Sequence, residues 1–273
     1  MRTADSGRPP VALTIAGSDS GGGAGIQADL KTFEAFGVFG TSAVTAVTIQ
    51  NTVGVFGVHA IPAEVVVGQI RAVVRDLRPD ACKTGMLVDG PIISAVAEEL
   101  NDARIRHYVL DPVMVAASGD PLLDPEAVGA LRSSLLPIAS IVTPNLDEAG
   151  ILTGLSVRSE DDMREAATRL VEAGCRSVLI KGGHLRTDEL VDILFDGDTW
   201  REWRAEKLPV GNAHGTGGTL SAAITAGLAR GRSIGEAVDR ALSYTRKAIA
   251  SAPGLGSGST PLNHRAEAGG RGA

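Results

Sequence analysis

Short apolar runs alternate along the chain with longer amphipathic segments. Residues 11–16 (VALTIA) are apolar and rich in β-branched side chains, which is typical of a buried strand, and four later runs have the same character. Those four runs are 81–86, 107–113, 140–143 and 177–181. The segments between them have helical periodicity, at about 25–36, 62–77, 91–100, 124–135, 146–153 and 160–173. This alternation predicts an α/β fold with a mostly parallel central sheet and helices on both faces.

Three further regions extend this pattern. Residues 41–50 and 54–60 alternate apolar with small or polar side chains, which predicts two strands beyond the simple α/β layer. Residues 189–195 and 200–204 flank an Asp-Gly-Asp turn and predict a hairpin. Two Ala-rich helices are expected at 219–229 and 234–251.

The length of 273 residues fits one large domain or two small ones. No linker rich in Pro, Ser or charge interrupts residues 11–264, so we expect a single domain there. Residues 1–10 and 265–273 are expected to be disordered tails.

Composition excludes several classes of protein. The net charge is −6 and no basic run stands out, so a broad nucleic-acid surface is not expected. No apolar run approaches the length of a membrane span, and the first residues lack the apolar region of a signal peptide. Cys82 and Cys175 have neither metal nor disulfide spacing, so we expect reduced thiols in the cytoplasm.

Glycine is the unusual component, at 34 residues, and two loops that precede helices are rich in it. Gly17-Ser-Asp-Ser-Gly-Gly-Gly-Ala-Gly25 follows the first strand, and His214-Gly-Thr-Gly-Gly-Thr219 opens the first Ala-rich helix. Glycines at a helix N-terminus expose backbone N–H donors and the positive end of the dipole, which suits a phosphoryl group. Neither loop is a Walker A motif, since no Lys-Ser/Thr pair follows the last glycine.

Charged and amide side chains follow three of the predicted strands. Asp111 ends one strand, Asn145 and Glu148 follow the next, and Lys181 ends the last and precedes two glycines. In open α/β sheets, ligands bind beyond the carboxyl ends of the strands. The carboxylates and amide suit a hydrated Mg²⁺, and the lysine suits a phosphate.

Together these residues resemble the hydroxymethylpyrimidine and phosphomethylpyrimidine kinases of thiamin biosynthesis, in the ribokinase-like superfamily. The resemblance covers about 250 residues, in family order, and its segments are 16–33 (AGSDSGGGAGIQADLKTF), 45–52 (TAVTIQNT), 83–87 (KTGML), 111–123 (DPVMVAASGDPLL), 143–149 (TPNLDEA), 181–184 (KGGH), 214–224 (HGTGGTLSAAI) and 261–264 (PLNH). It implies a three-layer α/β sandwich with a small β-lid. It also implies ATP, Mg²⁺, and two successive phosphorylations of one aminopyrimidine. A homodimer is common in that family.

The resemblance also implies roles for individual residues. Gly17, Asp29, Gln50 and Met86 are similar to pyrimidine contacts. The implied Mg²⁺ ligands are Asp111 and Glu148, and the implied nucleotide contacts are Asn145, Lys181 and His214. The implied catalytic anion hole is Gly215, Thr216, Gly217 and Gly218.

Two positions depart from the family pattern. Gly218 stands where the family carries the Cys that is thought to accept the proton of the substrate hydroxyl. Without that side chain we expect a slower kinase or another base, and Asp19 is the candidate stand-in. Ala117 stands where many members carry Lys or Thr.

Two alternatives to the pyrimidine kinase stay open. One is a pyridoxal or pyridoxine kinase, because the two activities overlap in the superfamily. The other is a pyrimidine-binding homologue with weakened catalysis. The absence of a side chain at Gly218 is the observation that supports this alternative.

Overall fold

The structure, a computed structural model, describes residues 7–116, 118–183, 185, 189–208 and 213–268. A nine-stranded sheet runs through the centre in the order β3-β2-β1-β4-β5-β6-β7-β8-β9. All neighbouring pairs from β2 to β7 are parallel, and β3, β8 and β9 add antiparallel edges. The predicted α/β class and mostly parallel sheet are therefore confirmed.

The strands agree with the sequence prediction in number and place. They are β1 (Val11–Asp19), β2 (Phe39–Gln50), β3 (Val55–Ala60), β4 (Ala81–Thr84), β5 (His107–Leu110), β6 (Ile141–Val142), β7 (Val178–Lys181), β8 (Glu189–Phe195) and β9 (Trp200–Glu206).

Helices cover both faces of the sheet. They are α1 (Gly25–Ala35), α2 (Ala63–Asp76), α3 (Gly90–Ala103), the single turn α4 (Val128–Ala130), α5 (Leu146–Thr153), α6 (Glu160–Glu172), α7 (Thr216–Ala229) and α8 (Ile234–Ala250). One apolar core lies under α2, α3, α5 and α6, and a second lies under α1, α7 and α8. Three helices begin with reciprocal capping boxes, at Asn145/Glu148, Ser159/Asp162 and Ser233/Glu236.

Three of the differences from the predicted elements have a clear local cause. β1 continues beyond residue 16 because, after a bulge, Ser18 and Asp19 still pair with the long β2. α7 begins at Thr216, inside the second glycine loop, because Gly215 in a left-handed conformation starts the helix there. The helix expected over 124–135 is instead a chain of short 3₁₀, α and π turns that ends at a proline-containing turn, Leu136–Ile138.

The inner ends of both predicted tails contact the domain. The Arg8 guanidinium donates to the backbone oxygens of Leu77 and Arg78 and pairs with Asp80 at 2.9 Å. Ala266 and Ala268 pack against the second core. Residues 1–6 and 269–273 lie outside the described residues.

No helix in the described ranges is both long enough and apolar enough to cross a membrane.

Candidate active site

One cavity of about 610 Å³ lies at the edge of the sheet where the parallel strands have their carboxyl ends. Every site residue predicted from the sequence lines it. These residues are Gly17, Asp19, Asp29, Gln50, Met86, Asp111, Asn145, Glu148, Lys181, His214, Gly215, Thr216, Gly217 and Gly218. The cavity therefore brings together residues that are far apart in the sequence.

Asp19 organises the first glycine loop. Its carboxylate accepts hydrogen bonds from the backbone N–H groups of Gly21, Gly23 and Ala24 at 2.8–3.0 Å. Its Oδ2 also lies 2.9 Å from Nε2 of His214 in the second glycine loop. Burial alone raises the pKa of Asp19, but the hydrogen bonds from His214 and the loop backbone outweigh it and hold that pKa below its usual value.

This geometry bears on two sequence expectations. A carboxylate that has a lowered pKa and accepts four hydrogen bonds is a poor base, so the position of Asp19 favours a role in fastening the two loops together over its predicted role as the base. The His214 ring, expected at the nucleotide, is held by Asp19 and lies 3.3 Å from the amide nitrogen of Gln50.

The second glycine loop ends in the N-terminus of α7. Gly215 is the N-cap, with φ 85°, and a Cβ at this residue would overlap the carbonyl oxygen of Gly23. None of the described side chains caps the helix, and its first turn has no acidic residue. The first N–H groups of α7 therefore remain available to an anion in the cavity.

Lys181 faces that helix start from the opposite wall. Its Nζ would lie 3.1 Å from a Cβ at Gly217, and it lies 3.7 Å from carboxylate oxygens of both Asp111 and Glu148. Ser221 of α7 donates a 2.9 Å hydrogen bond to Asp111 and so fixes this carboxylate against the helix. The arrangement places one cation, two carboxylates and a helix N-terminus around a single point.

Burial changes the acid–base properties of this group. It raises the pKa of Glu148 to about 7, with Asp111 adding to the rise and Lys181 opposing it. Burial lowers the pKa of Lys181, but the carboxylates of Glu148 and Asp111 outweigh it, so the Lys181 pKa is raised and the ammonium stays charged.

Within the described residues, no cluster of three or more His, Cys, Asp or Glu side chains is arranged to hold a metal ion. Mg²⁺ nevertheless keeps several waters and needs only one or two carboxylates, so the Asp111 and Glu148 pair fits it.

Gly17, Met86 and Gln50 line another part of the cavity. A Cβ at Gly17 would lie 3.0 Å from Sδ of Met86, so glycine leaves room beside the thioether. Thr45 holds Met86 in place through a 2.6 Å hydrogen bond to its carbonyl oxygen. Gln50 presents its amide beside this region, supported by Thr48 at 3.0 Å.

Sequence reasoning missed Lys83, which forms a buried ion pair with Asp29 in the cavity wall. Lys83 Nζ lies 2.8 Å from one oxygen of Asp29, and the Thr14 hydroxyl donates to the other oxygen at 2.6 Å. Asp29 is fully buried, and burial raises its pKa. Both carboxylate oxygens of Asp29 are therefore engaged, by Lys83 and by Thr14, and the pyrimidine contact of Asp29 stays a prediction. The available signal was a lysine within the apolar strand ACKT.

Gly218 leaves open space in the first turn of α7. The nearest described atom to a Cβ at this position is Oδ1 of Asp29, at 3.9 Å. A cysteine would therefore fit without displacing a neighbour. Ala117, the second departure from the pattern, lies outside the described residues.

A mostly parallel α/β sheet with this uncapped helix N-terminus, lysine and carboxylate pair defines a small-molecule kinase of the ribokinase-like fold. The chain belongs to the phosphomethylpyrimidine kinase family, which matches residues 19–263. It is 48% identical over 254 residues to the hydroxymethylpyrimidine/phosphomethylpyrimidine kinase of Bacillus subtilis, covering 93% of this chain and 94% of that protein. The predicted family and the predicted phosphotransferase activity are confirmed.

Two solved structures are similar over most of the chain. The pyridoxal kinase from Staphylococcus aureus in complex with ADP has a TM-score of 0.89 at 38% identity, covering 95% of each chain. The phosphomethylpyrimidine kinase from Clostridium difficile 630 has a TM-score of 0.79 at 44% identity, covering 88% of this chain and 99% of the other.

Proposed function

We propose that this kinase transfers the γ-phosphoryl group of ATP to 4-amino-5-hydroxymethyl-2-methylpyrimidine and then to its monophosphate, in thiamin biosynthesis. The observation that carries the proposal is the cavity, which is lined by Gly17, Met86 and Gln50 in one part and by the uncapped N-terminus of α7 in another. The family match and the relative in Bacillus subtilis support the choice of substrate.

Each end of the cavity has a distinct task in this reaction. The ring lies beside Met86 with its polar edge toward Gln50, and its hydroxymethyl group points to α7. The hydroxyl oxygen attacks the γ-phosphorus and passes its proton to water, and the bond from that phosphorus to ADP breaks. The helix N–H groups and Lys181 stabilise the charge on the phosphoryl oxygens. Asn145 caps α5 through Glu148 N–H, which places the start of that helix beside the nucleotide phosphates.

Asp111 and Glu148 would hold Mg²⁺, which supplies positive charge at the phosphates. Lys181 lies between their two carboxylates and limits their repulsion. Ser221 keeps Asp111 aligned with α7, so the metal ligands and the anion hole form one rigid unit.

The proposal is tested by supplying purified protein with ATP, Mg²⁺ and the hydroxymethylpyrimidine, and by following both phosphorylations. We expect both products. Lys181→Ala should lower kcat by about 10²-fold or more, because it removes the cation at the transferring group. Gln50→Leu should weaken binding of the pyrimidine by roughly 1–3 kcal/mol and leave the affinity for ATP unchanged. Pyrimidine binding without any product would instead identify a binding homologue.

Pyridoxal is the second candidate substrate. The observation that favours it is the TM-score of 0.89 to a pyridoxal kinase over 95% of the chain. The same assay with pyridoxal in place of the pyrimidine decides between them, and a higher kcat/KM for pyridoxal would overturn the preference proposed above.

We also propose a homodimer formed through the β2–β3 hairpin. This hairpin exposes large apolar side chains, with Ile49 66%, Phe56 64% and Val47 46% exposed. Exposed apolar patches commonly mark protein interfaces. A cytoplasmic location is consistent with Cys82 and Cys175, which are free and buried.

A further inference from the structure

The segment 256–264, called here the strap, crosses the three loops that surround the cavity. Ser259 N–H donates to Thr52 O at the tip of the β2–β3 hairpin at 2.8 Å. Thr260 O accepts from His214 N–H at 2.9 Å, and Pro261 lies 3.0 Å from a Cβ position on Gly23. The strap therefore contacts the hairpin and both glycine loops at once.

Close approach is built into the first part of the strap. A Cβ at Gly256 or Gly258 would overlap Thr52, so only glycine allows the strap to lie against the hairpin at these positions. The conformation at Gly256, with φ +80°, also favours glycine.

The far end of the strap reaches the first turns of α7. Nε2 of His264 lies 3.0 Å from Oγ1 of Thr219, and this threonine is fully buried. His264 is itself fixed, because Tyr244 O–H donates to its carbonyl oxygen at 3.0 Å. Burial lowers the pKa of His264 to about 4, and nearby Lys31 adds to this, so the ring is neutral near pH 7.

The first turn of α7 needs a stabilising contact such as the hydrogen bond between His264 and Thr219. Gly217 and Gly218 lie within it, and each glycine lowers helix stability by roughly 0.5–1 kcal/mol relative to alanine. The usual remedy is a capping side chain, and no described residue supplies one to α7, because the N–H groups that a cap would satisfy are those that face the cavity. A contact from behind the turn stabilises it without occupying those donors.

We infer that His264 is a positioning residue for phosphoryl transfer: its hydrogen bond to Thr219 fixes the N-terminal turns of α7 and so aims the N–H groups of Thr216, Gly217 and Gly218. The inference rests on the proposed function, since it takes those donors to be the anion hole. It assigns a task to the PLNH motif at residues 261–264, none of which is among the described residues that line the cavity.

The test compares His264→Ala, His264→Gln and Thr219→Val with the parent enzyme. His264→Ala and Thr219→Val should each lower kcat by about 10- to 100-fold, with KM for the pyrimidine within about threefold of the parent, because small misplacement of a positioned group slows transfer more than binding. His264→Gln should recover most of the loss, because its amide reaches the position of Nε2. The double variant His264→Ala/Thr219→Val should be no slower than either single variant.

Thr245→Val is the matched control. Its hydroxyl is buried in α8 and has no hydrogen-bond partner among the described residues, so its removal should leave kcat unchanged. If His264→Ala fails to fold, Thr219→Val remains decisive, since it keeps the size and shape of the side chain. A folded Thr219→Val with parental kcat, or additive losses in the double variant, would overturn the inference and leave His264 a purely structural residue.

Hydrogen exchange separates this inference from the proposed function. In His264→Ala, the amides of residues 219–222, which bond to the carbonyl oxygens of the first turn, should exchange about tenfold faster or more, while the remainder of α7 stays protected. A parent protein that phosphorylates no pyrimidine contradicts the proposed function, and the exchange result still decides on His264. Unchanged exchange in this turn overturns the inference.

Discussion

Gly218 and Gly215 show that glycines three residues apart serve different purposes. Gly215 has a left-handed conformation, and its missing Cβ lets the carbonyl of Gly23 approach. Gly218 is helical and faces open space, so nothing in its described surroundings requires glycine. The two positions therefore respond in opposite ways to substitution.

Gly218→Cys should raise kcat by about 10- to 100-fold with little change in ATP affinity. A thiol at a helix N-terminus has a lowered pKa and can accept the hydroxyl proton. Gly218→Ala is the control: it should raise the free energy of unfolding by about 0.5–1 kcal/mol and leave kcat near the parent value. Steady-state kinetics and chemical denaturation measure both effects.

Asp19→Asn provides the contrast. Since Asp19 holds the loop and is poorly suited to accept a proton, this change should cost the same factor of activity in the parent as in the Gly218→Cys variant. A loss confined to the parent background would restore Asp19 as the base. An unchanged kcat in Gly218→Cys would show that no side chain is needed there for proton removal.

At the level of elements, α5 combines a structural and a chemical role in one side chain. Glu148 Oε2 accepts a 2.7 Å hydrogen bond from Asn145 N–H and closes the capping box, and the same carboxylate faces Lys181. The start of α5 is thus coupled to the charge cluster of the cavity.

Glu148→Gln should preserve the capping box and raise the Mg²⁺ concentration for half-maximal activity by about tenfold or more, because a charged ligand becomes neutral. Glu148→Ala should in addition lower the free energy of unfolding by about 1 kcal/mol. The matched control is Glu236→Gln, in the capping box of α8, which should leave the Mg²⁺ requirement unchanged. Equal Mg²⁺ profiles for all three would exclude Glu148 as a ligand.

The sequence predicts most elements, and the errors have local causes. Strand and helix alternation and capping residues determine α5 and α6 to within a residue. The start of α7 at Thr216 could not be predicted, because the N-cap conformation of Gly215 depends on its packing against Gly23. The role of Lys83 as the ion-pair partner of Asp29 could not be predicted, because the two residues lie 54 positions apart in the chain.

On the scale of the whole molecule, the β2–β3 hairpin is the principal exposed apolar feature at one edge of the sheet. Ile49→Glu should convert the proposed dimer to a monomer, because it places a charge in an apolar interface. Val65→Glu, on the exposed side of α2, is the control and should leave the dimer intact. Light scattering after size-exclusion chromatography measures the mass, and a monomeric parent would refute the dimer.

Protonation of His264 should couple stability to pH. Its pKa is about 4 when folded and about 6.5 when unfolded, so below pH 6.5 the unfolded chain binds the extra proton first. The neutral, buried His264 makes its full contribution to the free energy of unfolding above pH 6.5. This contribution declines as the pH falls toward 4, and about 2 kcal/mol of the free energy of unfolding is lost near pH 5. Urea unfolding of the parent and of His264→Gln should diverge by this amount between pH 7.5 and 5. If the free energies of unfolding of the parent and of His264→Gln change in parallel with pH, burial of a neutral His264 is contradicted.

The bond between His214 and Asp19 joins residues 195 positions apart. On the ribosome, β1 to β4 can pair early, since their partners are near in sequence, but the first glycine loop then lacks the ring that secures it. The strap arrives later still, so the cavity takes its final shape only after residue 264 has been made. Ligands should therefore stabilise the finished cavity most, and we expect shortened translation products that lack the strap to gain less stability from nucleotide or pyrimidine than the full chain does.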